Sequence, residues 1–319
     1  MKVLLEVLLL IVGLVLIIKA SDILVDSASS IASAFRVPTM LIALTIVAFG
    51  TCAPELAISF QSVSSGNGQM ALANVVGSCI INILLILGIA ACVNPISIKH
   101  ETIKKELPIL VVITIGFVVL LLDSLFISAN RNIFSRTDGV ILLLLFSLFV
   151  YYIVSIIRKR RDEDEGANAK YGMVKSIIYL AISIIVIIIS SDLIVDNSIL
   201  LAERFNISQK IITLFIIVIG TSLPELVMTV TAAKKGEFDI AIGNIIGTNI
   251  FNICVVLGLP VAIYGHLEIV GFNIIDMLFV FVSSFLLFVF AHSEKKLSKL
   301  EGGIMFGLFA LYYLYVILV

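Results

Sequence analysis

Residues 50–56 of the chain read GTCAPEL, and they interrupt a stretch that otherwise has the composition of a membrane-spanning helix. The ten preceding residues, MLIALTIVAF (40–49), are almost entirely apolar. Proline removes a backbone donor and clashes with the preceding helical turn. A carboxylate at the centre of a spanning helix costs about 2.5–3.5 kcal/mol on insertion scales. Pro54 and Glu55 therefore stand where both residue types are costly, which indicates a functional requirement.

The composition as a whole is that of an integral membrane protein. Of the 319 residues, 61% are hydrophobic and 13% are charged, and the mean hydropathy is +1.20. A soluble domain of this length would have too few polar side chains to cover its surface. The net charge of −1 gives no sign of a nucleic-acid partner. The lipid bilayer is the expected environment, and the sequence does not determine an oligomeric state.

Apolar runs of spanning length predict an all-α membrane fold with ten transmembrane helices. The predicted spans are 3–28, 38–64, 70–94, 107–122, 137–157, 173–200, 210–233, 239–264, 272–292 and 302–319. The basic run that begins RKRRDEDE (158–165) is expected on the cytoplasmic side, because positive charge concentrates there. The other loop lysines then place both termini outside the cell membrane.

The chain also matches itself when it is shifted by 170 residues. GTCAPEL (50–56) falls on GTSLPEL (220–226), ANVVGSCIIN (73–82) on GNIIGTNIFN (243–252), and SDILVD (21–26) on SDLIVD (191–196). Of the 70 positions from 21 to 90, 23 are identical to their partners. Apolar helices resemble one another by chance, but chance does not align Gly, Thr, Pro, Glu and Asn in register.

Each copy contains five predicted helices, so the second copy enters the membrane from the opposite side. We expect a first five-helix repeat at 1–157, a cytoplasmic linker at 158–172 and an inverted second repeat at 173–319. Inverted repeats are typical of secondary transporters, whose substrate site lies at the midplane between the halves and is built from interrupted helices.

The two motifs are the expected interruptions. Pro54 and Pro224 leave the carbonyl groups of Gly50 and Gly220 without their helical donors, so both helices are predicted to unwind there. Irregular backbone at membrane depth occurs only where it is buried in protein or lines a cavity. Freed carbonyls beside Glu55 and Glu225 favour a cation site. The structural alternative is one protonated Glu hydrogen-bonded to its neighbour.

The helix after each motif carries a stripe of polar residues at four-residue spacing. The stripes are Asn74, Ser78 and Asn82 in the first copy and Asn244, Thr248 and Asn252 in the second. The small residues Ala73, Gly77, Gly243 and Gly247 are expected to let these helices approach their neighbours closely. Hydrogen bonding between helices is the alternative function of the stripes, above all for Asn74 and Asn244.

The repeated residues offer two carboxylates, amide and hydroxyl oxygens, and no His or thiolate pair. Such an all-oxygen environment suits Ca²⁺ or Na⁺ better than Zn²⁺ or copper. No Lys or Arg recurs, which argues against an anionic substrate. Two carboxylates neutralise one Ca²⁺ or two Na⁺, so these ions can compete for one site. Competition at a site that opens alternately to either side is antiport.

Paired motifs of the form G-T-S-x-P-E, each followed by G-N-x-x-G-S-x-x-x-N, resemble the α-repeats of the sodium/calcium exchanger family, within the cation/Ca²⁺ exchanger superfamily. The resemblance covers about 38–95 and 208–265. It implies an antiporter, with no enzymatic activity and no cofactor, that carries Na⁺ and Ca²⁺. It also implies that the first helix of each repeat slides past the remaining bundle.

The resemblance further implies a role for ten residues in metal binding. Glu55 and Glu225 would bind Ca²⁺ directly, with the carbonyl groups of Thr51 and Thr221 completing its shell. Asn82 and Asn252 would line the central site. Flanking Na⁺ ions would be held by Ala48 with Ser78 and by Val218 with Thr248, through backbone and hydroxyl oxygens.

Three positions depart from the family pattern. Cys52 replaces the usual serine, Ala53 replaces a larger apolar residue, and Asn252 stands where some members have Asp. The last change removes a titratable carboxylate and makes a role for K⁺ less expected. Thr and Pro in both motifs favour Na⁺ over proton coupling, because proton-coupled relatives usually have Asn for Thr and lack the Pro.

Other functions stay open at this level. A proton-coupled Ca²⁺ exchanger differs only in the driving gradient, and a passive cation channel would use the same ligands. The aspartates of SDILVD and SDLIVD are expected to cap helices or join interfaces rather than line a vestibule. As a DxxxD pattern they also resemble the Mg²⁺-diphosphate sites of membrane prenyltransferases, but no basic residues accompany them at depth.

Overall fold

The computed structural model describes residues 2–122, 133–159, 170–205, 218–265, 267–268 and 274–318. Its helices are α1 (Lys2–Phe35), α2 (Thr39–Thr51), α3 (Ala53–Ser64), α4 (Gly68–Val93), α5 (His100–Lys104), α6 (Glu106–Leu121), α7 (Arg136–Lys159), α8 (Met173–Arg204), α9 (Val218–Thr221), α10 (Leu223–Lys235), α11 (Phe238–Tyr264), α12 (Ile274–Glu294) and α13 (Lys299–Leu318). Its short strands are β1 (Ile96–Ser97), β2 (Ile133–Phe134), β3 (Leu267–Glu268) and β4 (Lys296–Leu297).

The helices confirm a multi-pass, mostly α-helical membrane fold. Within the described ranges, seven helices are long and apolar enough to cross a bilayer, or eight if the bent pair α2 and α3 counts as one span. α1 continues to Phe35, well beyond the predicted end at 28. α6 has 16 residues, and the ten residues 123–132 that follow it lie outside the described part, as do 210–217 of the seventh predicted span.

Two helices form the centre of the bundle. In α4 and α11, 83% and 89% of the residues in the most apolar window are buried inside the protein, against 17–39% for the other five long helices. The outer helices expose apolar side chains instead, for example Leu4 (72%) on α1 and Val174 (72%) on α8. Apolar surface on this scale is expected to face lipid. The polar stripes of α4 and α11 are therefore shielded from lipid by the rest of the bundle.

α1 and α8 pack along each other as a long antiparallel pair. A side chain at Gly13 would overlap Ile194, because a Cβ built there lies 2.8 Å from Ile194 Cγ1. Near one end of the pair, Arg204 donates two hydrogen bonds to Glu6, with Nε at 2.8 Å and Nη2 at 2.7 Å from the carboxylate. A bidentate pair of this kind fixes geometry as well as charge. The two helices are thereby joined as one unit.

The aspartates of SDILVD make the interface contacts that the sequence favoured. Lys235, at the end of α10, lies 2.8 Å from Asp26 Oδ1 and donates a hydrogen bond to the Asp22 carbonyl. Lys170, just before α8, lies 2.6 Å from Asp26 Oδ2. This hydrogen bond raises the pKa of Lys170 above its ordinary value. Asp26 thus links α1 to both α10 and the segment that leads into α8.

Two short antiparallel strand pairs, which the sequence did not predict, join the loops at the ends of the bundle. β1 pairs with β4 through Ile96 and Leu297, and β2 pairs with β3 through Phe134 and Leu267. Each pair joins a segment of the first half of the chain to a segment of the second. Strands of two residues carry too little periodicity to be recognised from sequence.

The expected close helix approach is confirmed for α11. A Cβ at Gly247 would lie 2.6 Å from the Leu44 carbonyl oxygen, and one at Gly243 would lie 2.8 Å from Ala43 Cβ. In the first half the expectation is wrong for Ala73, which is exposed. The glycines of α11 thus bring its backbone into contact with α2.

We predict that Gly247→Ala lowers the stability of the protein by about 1–3 kcal/mol, because the added methyl group overlaps the backbone of α2. Thermal unfolding of the detergent-solubilised protein measures the change. Gly307→Ala is the matched control, since Gly307 lies within α13 and a Cβ there meets nothing within 4 Å. We expect an unchanged or slightly higher melting temperature for the control. Equal melting temperatures for the two variants would contradict the close contact.

Candidate cation site

Both motifs break a helix at the same position. α2 ends at Thr51, Cys52 takes φ −77° and ψ 1°, and α3 starts at Ala53 with an axis bent by 49°. In the second copy α9 ends at Thr221, Ser222 takes φ −90° and ψ 11°, and α10 starts at Leu223. The predicted unwinding is therefore confirmed in both motifs.

The position of each proline explains why a new helix begins at once. Pro54 and Pro224 lie in the first turn of α3 and α10, where a backbone N–H has no helical partner in any case. The following residues, Glu55 and Glu225, also fall in that first turn. The positive end of the helix dipole favours a carboxylate there. The break thus creates a site for negative charge inside an apolar bundle.

The carbonyl groups near the two breaks have different hydrogen-bond partners. The Gly220 carbonyl accepts a hydrogen bond from Ser191 Oγ of α8 at 3.1 Å, so a neighbouring helix replaces the lost donor. The Ala48 carbonyl, a predicted Na⁺ ligand, accepts bonds from Cys52 N at 3.1 Å and from Thr51 Oγ1 at 3.3 Å. Val218 is the first residue of α9, and its side chain lies outside the described part.

Both central helices widen into π-helical turns at their asparagines. In α4 the π segment is Ile81–Leu87 and includes Asn82; in α11 it is Asn252–Leu257 and begins with Asn252. A third π segment, Ala43–Val47, lies within α2 directly before Ala48. π-helical turns occur frequently at functional sites, where the extra residue redirects side chains and loosens the backbone hydrogen bonding.

Most of the predicted ligands are buried. Thr51, Glu55, Ser78, Asn82, Glu225, Thr248 and Asn252 are each at most 1% exposed. Thr221 is half-buried. α3 packs against the π segment of α11, and Cys52 Sγ lies 4.0 Å from the Thr248 carbonyl oxygen. The two motifs and the two stripes therefore meet at the centre of the bundle.

Six of the predicted residues carry buried polar atoms with no hydrogen-bond partner among the described residues. These atoms are Glu55 Oε2, Ser78 Oγ, Asn82 Oδ1, Glu225 Oε1 and Oε2, Thr248 Oγ1, and Asn252 Oδ1 and Nδ2. They account for eight of the sixteen such atoms in the described part of the chain. Buried polar groups are nearly always partnered, because an unpartnered one costs about 1–3 kcal/mol. A cation that binds these oxygens would satisfy most of them.

The charge distribution around the site favours a cation. Every Lys and Arg whose side chain the structure describes is exposed, whereas Glu55 and Glu225 are fully buried. No group of three or more His, Cys, Asp or Glu residues suited to a metal occurs in the described ranges. The site thus consists of two carboxylates among neutral oxygens, which suits hard ions such as Ca²⁺ and Na⁺.

Asn74 and Asn244, at the start of the stripes, make hydrogen bonds between helices. Asn74 Nδ2 donates to the Glu55 carbonyl at 3.4 Å, and Asn244 Nδ2 donates to Thr229 Oγ1 at 3.3 Å. This outcome supports the structural alternative for these two residues. The Asn74 bond also holds α4 against the first turn of α3, which carries Glu55.

Two polar residues at the centre were missed from the sequence. Asn249 is 1% exposed and lies 3.0 Å from Asn82. Ser222 is 1% exposed, and its hydroxyl has no partner in the protein. Their counterparts after the 170-residue shift are Cys79 and Cys52. A search for polar residues that occur in both repeats therefore missed Asn249 and Ser222. A search for polar residues on the inner face of either copy alone would have found them.

Comparison with known proteins gives consistent matches. A family model described as sodium/calcium exchanger protein matches residues 5–155 and 175–318. Inner membrane protein YrbG of Escherichia coli (strain K12) is 38% identical over 264 residues, covering 80% of this chain and 79% of that protein. The sodium/calcium exchanger MaX1 of Methanosarcina acetivorans is 30% identical, covering 93% of this chain and 94% of MaX1.

A solved structure of the sodium-calcium exchanger NCX_Mj, soaked with 10 mM Na⁺ and no Ca²⁺, superposes on this chain with a TM-score of 0.82. The sequence identity is 30%, and the match covers 99% of this chain and 98% of NCX_Mj. The similarity therefore extends beyond the two motifs to the whole fold.

Because the buried oxygens lack partners, a hard cation should stabilise the folded protein. At a Ca²⁺ concentration 100 times the dissociation constant, we expect a gain of about 2.7 kcal/mol, seen as a higher melting temperature in detergent. The double variant Glu55→Gln/Glu225→Gln should lose this shift. Glu294→Gln, which changes an exposed carboxylate at the end of α12, should keep it. A shift of the same size in the double variant would place the ion elsewhere.

Proposed function

Because the chain belongs to the sodium/calcium exchanger family, we propose that it is a secondary antiporter that exchanges Na⁺ for Ca²⁺ across the membrane by alternating access. The observation that carries this proposal is the buried pair Glu55 and Glu225, three of whose oxygens have no hydrogen-bond partner within the described ranges. One Ca²⁺ or two Na⁺ neutralise the pair. The same buried charge then serves either ion, and the exchange of one for the other needs no ATP.

We assign the ion ligands as the family resemblance implies. Glu55, Glu225, Asn82 and Asn252 form the central site with the carbonyls of Thr51 and Thr221, while Ser78 and Thr248 serve the flanking positions. The burial of these side chains, and their polar atoms without hydrogen-bond partners among the described residues, support this assignment. Ala48 and Val218 complete it through their carbonyls. The two hydrogen bonds that the Ala48 carbonyl already accepts make it the weakest member.

The proposed architecture is ten spans in two inverted five-helix repeats, 1–157 and 173–319, joined by the linker 158–172. Equivalent breaks at Cys52 and Ser222 support it, as do equivalent π segments at Ile81–Leu87 and Asn252–Leu257. The strands are also placed equivalently in the two repeats, because β1 comes directly after α4 and β3 comes directly after α11.

Alternating access is favoured over a passive channel by the burial of the ligands. With seven ligand side chains at most 1% exposed, an ion held there is closed off from water on both sides. Release then requires movement of a part of the bundle. The pair α1 and α8, whose outer surface is exposed and apolar, is the proposed moving part.

The transport prediction uses purified protein in liposomes. Vesicles loaded with Na⁺ should take up Ca²⁺ from a Na⁺-free medium, and vesicles loaded with K⁺ should not. Glu55→Gln and Glu225→Gln should each lower this uptake by about two to three orders of magnitude, since each removes one of the two charges that hold the cation, and the loss of one partner of a buried ion pair costs about 3–5 kcal/mol. Glu294→Gln is the control and should transport normally.

Two other arms of this experiment separate the alternatives. Uptake driven by a pH gradient without Na⁺ would indicate proton coupling and contradict Na⁺ exchange. Uptake down a Ca²⁺ gradient without any counter-ion would indicate a channel. Full Na⁺-dependent uptake by either glutamine variant would overturn the assignment of the carboxylates.

We also predict that both termini lie outside the cell membrane and that the linker is cytoplasmic. In Escherichia coli, alkaline phosphatase fused after Val319 should be active, because it folds only outside the cytoplasm. Green fluorescent protein fused after Lys159 should fluoresce, because it folds in the cytoplasm. The opposite pair of results would reverse the orientation.

A further inference from the structure

We propose that Asn249 is a positioning residue that holds the Asn82 side chain with its carbonyl oxygen directed at the bound cation. This inference rests on the proposed function, because it concerns the selectivity of the same site. Asn249 lies on α11, three residues before Asn252, and Asn82 lies on α4. Their contact crosses from one repeat to the other at the centre of the bundle.

The orientation of the two amides follows from a chain of two hydrogen bonds. The chain ends at the backbone carbonyl of Cys79, which can only accept. Asn249 Nδ2 donates to that carbonyl at 3.4 Å, which turns Asn249 Oδ1 toward Asn82. Asn82 must then donate, and its Nδ2 lies 3.0 Å from Asn249 Oδ1. An amide orientation is assigned from such a network, and here the network permits a single choice.

The consequence for Asn82 is that its oxygen is left for another partner. Asn82 Oδ1 is buried and accepts no hydrogen bond from any residue that the structure describes. Without Asn249, the amide could rotate by half a turn and present its NH₂ group to the site. An NH₂ group repels a cation, whereas the carbonyl oxygen binds it. Asn249 thus selects the liganding face of Asn82 without itself being one of the assigned ligands.

Asn252, the counterpart of Asn82 in the second repeat, has no equivalent of this orienting contact. The residue equivalent to Asn249 is Cys79, and a thiol is too weak a donor and acceptor to fix an amide in the same way. In agreement, neither Oδ1 nor Nδ2 of Asn252 has a hydrogen-bond partner in the described part of the chain. Asn252 is therefore free to bind a cation through oxygen or to donate to a carboxylate. The two asparagines are equivalent by repeat but not by function.

The test replaces Asn249 in two backgrounds. Asn249→Cys introduces the residue of the first repeat and removes the orienting amide. In the otherwise unchanged protein, we expect the KM for Ca²⁺ to rise about tenfold, which corresponds to one hydrogen bond, with kcat changed less than twofold. The Ca²⁺ dissociation constant, measured calorimetrically in detergent, should rise by the same factor.

The decisive comparison uses Asn82→Asp. A carboxylate presents an oxygen in either orientation, so it has no need of Asn249. In this background, Asn249→Cys should change the Ca²⁺ dissociation constant less than twofold. If Asn249 only filled space, its replacement would weaken binding by the same factor in both backgrounds. Equal factors, or no effect in the unchanged protein, would overturn the proposal.

The binding measurement separates this proposal from the proposed function. If the unchanged protein binds Ca²⁺ but shows no Na⁺-dependent uptake, the exchange function fails while the role of Asn249 is still decided by the four dissociation constants. If the unchanged protein binds no Ca²⁺, both fail. If uptake is Na⁺-dependent and the Asn249 variants match the unchanged protein, only the role of Asn249 fails.

Discussion

The structure depends on one constraint, which is that a carboxylate buried inside a membrane protein needs a partner. Glu55 and Glu225 are fully buried, and three of their four oxygens have no hydrogen bond in the part of the chain that the structure describes. Burying an uncompensated charge costs several kcal/mol even after relaxation. The helix breaks partly offset this cost, because each places its glutamate in the first turn of a new helix. On the proposed function, a bound cation would remove the remaining cost.

The rest of the bundle is arranged around that demand. The glycines of α11 allow its backbone to touch α2, and this contact excludes lipid from the polar centre. The outer pair α1 and α8 is joined by Arg204 and Glu6. Its link to the inner helices is unequal: Lys235 of α10 reaches Asp26, whereas the equivalent of Lys235 in the first repeat is Ser65. If α1 slides along α10, the ion pair between Lys235 and Asp26 must break, and no equivalent pair through Ser65 has to break in the first repeat.

Much of this candidate site could be predicted from the sequence because the proposed ligands occur twice. Repetition of Gly, Thr, Pro and Glu located both helix breaks, and the spacing of the stripes located Ser78, Asn82, Thr248 and Asn252. What it missed depends on contacts that do not repeat. Ser191 donates a hydrogen bond to the Gly220 carbonyl, whereas the hydroxyl of its counterpart Ser21 has no partner among the described residues. Asn249 accepts a hydrogen bond from Asn82, whereas its counterpart Cys79 has no amide group to do the same. The π segments depend on packing between helices, and no residue type marks them.

Charge balance suggests how such a site couples two ions of different valence. With Asn252 rather than Asp, the central site carries two negative charges, which one Ca²⁺ or two Na⁺ neutralise. A single Na⁺ leaves one net charge in a region closed to water, at a cost on the order of several kcal/mol. The empty and the partly loaded site are thereby less able to cross between the two faces than a site whose charge is fully neutralised. On the proposed function, the exchange is strict because an occluded site tolerates only charge-matched occupants, and a third carboxylate at 252 would have required a proton to achieve the same balance.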